Sequence, residues 1–180
     1  VETRVVPVRR DGNLWYHVGG RHEGADYIAW GGSHRYDAGT QPSVALNTHG
    51  VVVEVHKSPT CEDTLWYHVG SVDINGREVL WGDSRQYDTG EMPDVALNDS
   101  YKVVEVHKSE NFDTLWYRVG IIDPDRYEIH WGPSRQYDTG INPSVAINDH
   151  DEVIAVHQSE FHETLWYHTG RIAGDTVEWG

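Results

Sequence analysis

Three stretches of the sequence carry the same set of groups able to hold a polar ligand. They are Trp30-Gly31-Gly32-Ser33-His34-Arg35-Tyr36-Asp37, Trp81-Gly82-Asp83-Ser84-Arg85-Gln86-Tyr87-Asp88 and Trp131-Gly132-Pro133-Ser134-Arg135-Gln136-Tyr137-Asp138. A fold needs apolar residues and turn formers at fixed places; it does not need hydroxyl, guanidinium, phenol and carboxylate together. An aromatic face bordered by such groups suits a neutral sugar, whose C–H face stacks while its hydroxyls find polar partners in a shallow, partly wet pocket. The candidate carbohydrate-binding residues are therefore Trp30, Ser33, Tyr36, Asp37, Trp81, Ser84, Arg85, Tyr87, Asp88, Trp131, Ser134, Arg135, Tyr137 and Asp138. The competing reading is that Tyr, Asp and Arg lace neighbouring units together.

Other chemistry-bearing strings read as structure. Asp88-Thr89-Gly90 and Asp138-Thr139-Gly140 have the triplet of aspartic proteases, in which two carboxylates share a proton. Here the triplet follows a polar segment and recurs about 50 residues apart, with Asp37-Ala38-Gly39 in one copy, so it reads as a turn. Glu54/His56 and Glu105/His107 stand two apart, on one face of a strand, and are a candidate metal seed. The fourth copy has Ala155/His157 and the first is aligned with Pro7/Arg9, so the pair is read as a polar strand face. His17, His68 and His168 form a second column interrupted by Arg118, and Arg cannot ligate a metal. No catalytic residues, metal or cofactor are expected, because no nucleophile and base stand at credible spacing.

The elements that position these residues come from a repeat. Leu-Trp-Tyr begins at Leu14, Leu65, Leu115 and Leu165, and Trp-Gly at Trp30, Trp81, Trp131 and Trp179, which accounts for all eight tryptophans. Between them lie short β-branched and aromatic runs with period-two alternation, separated by Gly, Asn, Asp and Pro. The reading is all-β: a β-propeller of about four four-stranded repeats of 50–51 residues in one domain, 1–180, with units near 1–41, 42–92, 93–142 and 143–180. The run Pro42–Asn47 has counterparts only at Pro93–Asn98 and Pro143–Asn148, so 15 strands are expected and the first blade lacks one. Incomplete terminal blades leave edges that invite pairing, which makes a homodimer a partner to consider.

Composition narrows the partners. A net charge of −15 argues against nucleic acid, and no apolar run is long enough to insert in a membrane. One cysteine, Cys61, excludes an internal disulfide framework. Asn98-Asp99-Ser100 is a glycosylation sequon that would mark a surface turn, and the chain starts at Val1 with its one Met at position 92, so secretion is expected.

The unit Pro-Ser-Val-Ala-Leu-Asn, Val-Val-Glu-Val-His-Lys-Ser, Thr-Leu-Trp-Tyr-His-Val-Gly, Trp-Gly-x-Ser-Arg-Gln-Tyr-Asp-Thr-Gly resembles the repeats of small propeller lectins, the tectonin and tachylectin types and related bacterial lectins. The resemblance implies several equivalent sites for glycans or glycoproteins and no catalysis. A multivalent lectin is thus the expected function, with a protein-binding propeller scaffold and a hemopexin-like haem or metal carrier as alternatives.

Overall fold

The computed structural model describes residues 2–10, 12–21, 24, 26–60, 63–75 and 77–180; Cys61 lies outside them. Strands fall into four antiparallel sheets. The first contains β1 (Glu2–Arg10), β2 (Asn13–Arg21), β3 (Ala29–Trp30) and β4 (His34–Ala38). The second contains β5 (Thr40–Leu46), β6 (Val51–Lys57), β7 (Thr64–Asp73), β8 (Glu78–Trp81) and β9 (Arg85–Thr89). The third repeats this as β10 (Glu91–Leu97), β11 (Lys102–Lys108), β12 (Thr114–Asp123), β13 (Glu128–Trp131) and β14 (Arg135–Thr139). The fourth has β15 (Ile141–Ile147), β16 (Glu152–Gln158), β17 (Leu165–Ala173) and β18 (Thr176–Trp179). No helix among the described residues is long and apolar enough to cross a membrane.

The 15 expected strands become 18 among the described residues. The difference is β4, β9 and β14, the Ser-x-x-Tyr-Asp segments that composition marks as turns. Each outer strand is made of two pieces on one long partner. On β7, Gly70 stands opposite Trp81 of β8, and Tyr67 opposite Arg85 of β9. The segment is polar yet alternates: Tyr87 is buried while Gln86 between the ladder bonds is exposed. Gly70 is required in this register, because a Cβ there would sit 3.0 Å from the Trp81 ring and 2.8 Å from the Leu80 carbonyl oxygen.

Each inner sheet is covered on both faces. Every residue of β6 except Lys57 is buried, so the alternation of Val51, Val53 and Val55 against Val52, Glu54 and His56 separates two neighbours rather than core from water. The polar strand face at Glu54/His56 lies inside the molecule: both side chains are almost fully buried. Register also corrects the alignment of the first repeat. Glu54 lies opposite His68 and His56 opposite Trp66, while Val6 lies opposite His17 and Val8 opposite Trp15. Val6 and Val8 therefore replace the Glu-x-His pair there; Pro7 faces Tyr16, the position of Val55.

Sheets pack in chain order through tyrosine and tryptophan. Trp81 stacks on Tyr36 (5.2 Å between centroids) and meets Tyr16 edge-on, and Trp131 does the same with Tyr87 and Tyr67, as Trp179 does with Tyr137 and Tyr117. The three edge-on tyrosines accept a hydrogen bond from a backbone N–H of the following sheet, at Val79, Ile129 and Val177. A large amphipathic ring thus fills the seam with its body and satisfies backbone with its hydroxyl.

At the other end of the strands, asparagines fasten the inner turns. Asn98 Oδ1 accepts from Ser100 N and Lys102 N, while its amide donates to the Asn148 carbonyl and Asp151. The sequon is therefore not an accessible glycosylation turn, since its Asn side chain is buried and engaged between sheets.

Candidate functional site

The residues with chemical potential converge at the seams between consecutive sheets. The carboxylate ending each Tyr-Asp pair reaches into the next sheet. Asp37 Oδ2 lies 2.8 Å from His68 Nε2 and 3.8 Å from His56 Nε2. Asp138 Oδ2 is 2.5 Å from His168 Nε2 and 3.4 Å from His157 Nε2. In the middle seam Arg118 takes the place of His68, with Nη1 3.5 Å from Asp88 Oδ2 and a further bond to the Tyr87 carbonyl. The interchange of His and Arg that argued against metal ligation is thus a choice between two hydrogen-bonding partners for one carboxylate.

Behind each carboxylate stands a buried imidazole. His107 Nδ1 is 3.0 Å from Glu105 Oε2, and His56 Nδ1 is 3.0 Å from Glu54 Oε2. Burial opposes charge on His107, but the Glu105 carboxylate outweighs it and the His107 pKa is raised. His68 is likewise raised: burial works against it, and the Asp37 hydrogen bond and Glu54 charge overcome that. His157 has Ala155 where the others have Glu; burial then dominates and its pKa is lowered. Asp37 and Asp138 are lowered although burial pushes them upward, because His68 and His168 hydrogen-bond to their ionised forms. Among the described residues no group of three or more His, Cys, Asp or Glu is arranged to hold a metal ion.

The candidate sugar residues divide. Trp81 and Trp131 are half-buried with one ring face stacked on tyrosine, so they are seam residues rather than open platforms. Trp30 is 45% exposed, at the free edge of the first sheet. Tyr87 is fully enclosed and donates to Glu105 Oε1 at 2.8 Å; burial drives its pKa well up, as it does for Tyr36 and Tyr137. Arg85 pairs with Glu128 at 2.6 Å and Arg135 with Asp175 at 3.6 Å, each in the following sheet. Ser33 is exposed, and Ser84 and Ser134 are half-buried.

Asp88 and Ser134 do come together, with groups that spacing could not assign. They line an open cleft of about 220 Å³ with Thr89, His107, Ser109, Glu110 and Trp116. Asp88 and Thr89 come from the second sheet, the rest from the third or the turn after β11. Trp116, from the Leu-Trp-Tyr series read as packing, is the cleft's aromatic wall, and its indole N–H is tied to Thr114 Oγ1 at 3.0 Å. The strand alternation held a usable signal: Trp116 and Tyr117 must point to opposite faces, and only Tyr117 is wholly buried. Larger hollows lie elsewhere: one of about 640 Å³ on the outward face of the fourth sheet, one of about 520 Å³ around the Asn47 turn, and one of about 300 Å³ beside Leu165, Trp166 and Tyr167.

No protein-family model matches the chain, and no curated protein matches it. Solved structures are similar to it. A point mutant of NanB sialidase from Streptococcus pneumoniae aligns over 97% of this chain at 12% identity, with a TM-score of 0.67. NanB with Optactamide aligns over 89% at 11% identity, TM-score 0.62. A GH43 endo-arabinanase from Bacillus licheniformis aligns over 93% of this chain and 73% of its own, at 12% identity and a TM-score of 0.47. The chain spans less than a third of the NanB chains it matches. The likeness to NanB is one of fold, a propeller-like all-β arrangement. It overturns the expectation of a lectin without catalysis: the fold is shared with a sialidase, an enzyme.

Proposed function

We propose that the chain acts on glycosidic bonds, as four blades of a carbohydrate-processing propeller, with the seam between the second and third sheets as its substrate cleft. The observation that carries this reading is that two carboxylates, Asp88 and Glu110, line one cleft with the indole of Trp116. Glycoside hydrolysis needs one carboxyl group to protonate the leaving oxygen and a second carboxylate to attack or stabilise the anomeric carbon. Asp88, paired with the Arg118 guanidinium, takes the second role; Glu110, on the turn, takes the first. Trp116 supplies a stacking face, and Thr89, Ser109 and Ser134 supply hydroxyl partners. The cleft volume suits one sugar ring rather than an extended chain. The sialidase fold supports a glycan as the substrate class.

The test is a panel of chromogenic glycosides, sialosides included, assayed with the native chain and with Asp88→Asn and Glu110→Gln. Turnover of at least one glycoside is expected, falling by about 10²–10⁴-fold in each variant, the usual contribution of a positioned acid or base. Native chain that cleaves no glycoside, or variants as active as native, would overturn the reading.

A further inference from the structure

The array of sheets ends in two unlike faces, and each is the counterpart of the other. Leu14, Leu65 and Leu115 are completely buried, as are nearly all of Tyr16, Tyr67 and Tyr117, because the following sheet covers them. Their equivalents on the fourth sheet, Leu165 and Tyr167, are 83% and 69% exposed. Ile154 and Val156 lie at the register positions of Val53 and Val55; the latter are fully buried, the former about two-fifths exposed. The hollow of about 640 Å³ lies along this same face.

The opposite end shows the complement. Trp81, Trp131 and Trp179 each fill the notch made by two tyrosines of the preceding sheet. Trp30, their equivalent on the first sheet, has no preceding sheet and is exposed. Where Glu54 and Glu105 sit in the later sheets, this sheet has the half-exposed Val6. At that one position the leading face is more apolar than those of the second and third sheets, while Arg4, opposite Gly19, stands where Val52 stands opposite Gly70.

We propose that these two faces form a head-to-tail interface, in which the fourth sheet of one copy covers the first sheet of a second copy. Tyr167 then packs edge-on against the partner's Trp30, and its hydroxyl takes the backbone N–H of the partner's Ile28, as Tyr16, Tyr67 and Tyr117 take those of Val79, Ile129 and Val177. The contact continues the edge-on tyrosine–tryptophan pairing of the three seams already present, at the same register, without the stacking tyrosine that Tyr36, Tyr87 and Tyr137 supply there. It is heterologous, so each bound pair still offers one free face of each kind unless the ring closes.

Sedimentation velocity across a range of concentrations tests this on the native 180-residue chain and on Tyr167→Asp and Trp30→Asp, both substitutions at exposed sites. The native chain should pass from 20.5 kDa to multiples of that mass. Each variant alone should associate at least tenfold more weakly, with an unchanged melting temperature for the monomer. An equimolar mixture of the two variants should form a one-to-one pair and nothing larger, because each keeps one intact face. A native chain that stays monomeric at every concentration would overturn the proposal, whether another chain segment or nothing covers the face. Variants that associate like native would overturn it too, as would a mixture that fails to pair.

Discussion

At the residue scale, the seams are governed by what stands beside each imidazole. Glu54 and Glu105 hydrogen-bond the buried His56 and His107, and Glu105 raises the pKa of His107, whereas Ala155 leaves His157 Nδ1 without a partner and its pKa low. This has a consequence for stability. The raised pKa of His68 and His107 contributes stabilisation that is fully present below the unfolded value of about 6.5 and is lost as pH rises through the folded one. The lowered pKa of Asp37 and Asp138 contributes stabilisation present above the unfolded value of about 3.9 and lost as pH falls through the folded one. His157 works against its two counterparts on acidification, but one against two. The melting temperature should therefore rise between pH 8 and pH 6 and fall again below about pH 4. Glu105→Gln should reduce the rise, because His107 loses the charge that lifts it. A profile flat from pH 8 to 6 in the native chain would contradict this account of the seams.

At the element scale, two devices hold the repeat together. The glycine after Asp-Thr is one: Gly90 has φ +150°, and a Cβ would meet the Lys108 carbonyl oxygen at 2.6 Å and His107 at 2.7 Å. The triplet recurs because the chain must cross closely over the next sheet on its way from β9 to β10. Gly90→Ala should cost about 1–3 kcal/mol of unfolding free energy by forcing a strained backbone or displacing the seam. The second device is the Leu-Trp-Tyr strand. Leu65→Ala should cost about 2–5 kcal/mol, while Leu165→Ala at the open face should change monomer stability by less than about 0.5 kcal/mol. Chemical denaturation of both variants checks the contrast, and equal losses would refute the open face.

Much of this scale was legible in the sequence. The alternation and the Gly-Asn-Asp-Pro punctuation mark β5, β6 and β8 nearly at their true ends, while β7 runs four residues past Val69 to Asp73. What stayed hidden followed from burial on both faces. Period-two alternation reports that a strand has two sides but not that both are covered, so the polar face at Glu54 and His56 gives no sign of the sheet that buries it. Arg85-Gln86-Tyr87-Asp88-Thr89 read as a turn because four of five residues are polar, although Arg85 and Asp88 pair with the next sheet. The cleft was half legible: Asp88 and Ser134 were among the candidates, yet Trp116 and Glu110 join them only through the packing of two sheets.

At the scale of the whole molecule, the charge of −15 sets the conditions under which the open faces can meet. Like charges repel two copies at low ionic strength, and screening shortens that repulsion to about 10 Å at 0.1 M salt. Head-to-tail association should therefore strengthen as salt rises from about 0.05 to 0.5 M, the opposite of an interface held by ion pairs. Light scattering along that series reads the trend directly, and weaker association at high salt would point to a different contact.

Of the three seams, the proposed reactive one lies between the second and third sheets. The first seam has Pro59 at the position of Glu110, and in the third Glu160 is bonded to Thr139 Oγ1 at 3.0 Å. The most direct measurement compares kcat for glycoside hydrolysis in Asp37→Asn, Asp88→Asn and Asp138→Asn, each confirmed folded. A loss of about 10²-fold or more is expected at Asp88 alone, with the other two unchanged. Equal losses in all three, or activity untouched in Asp88→Asn, would contradict it.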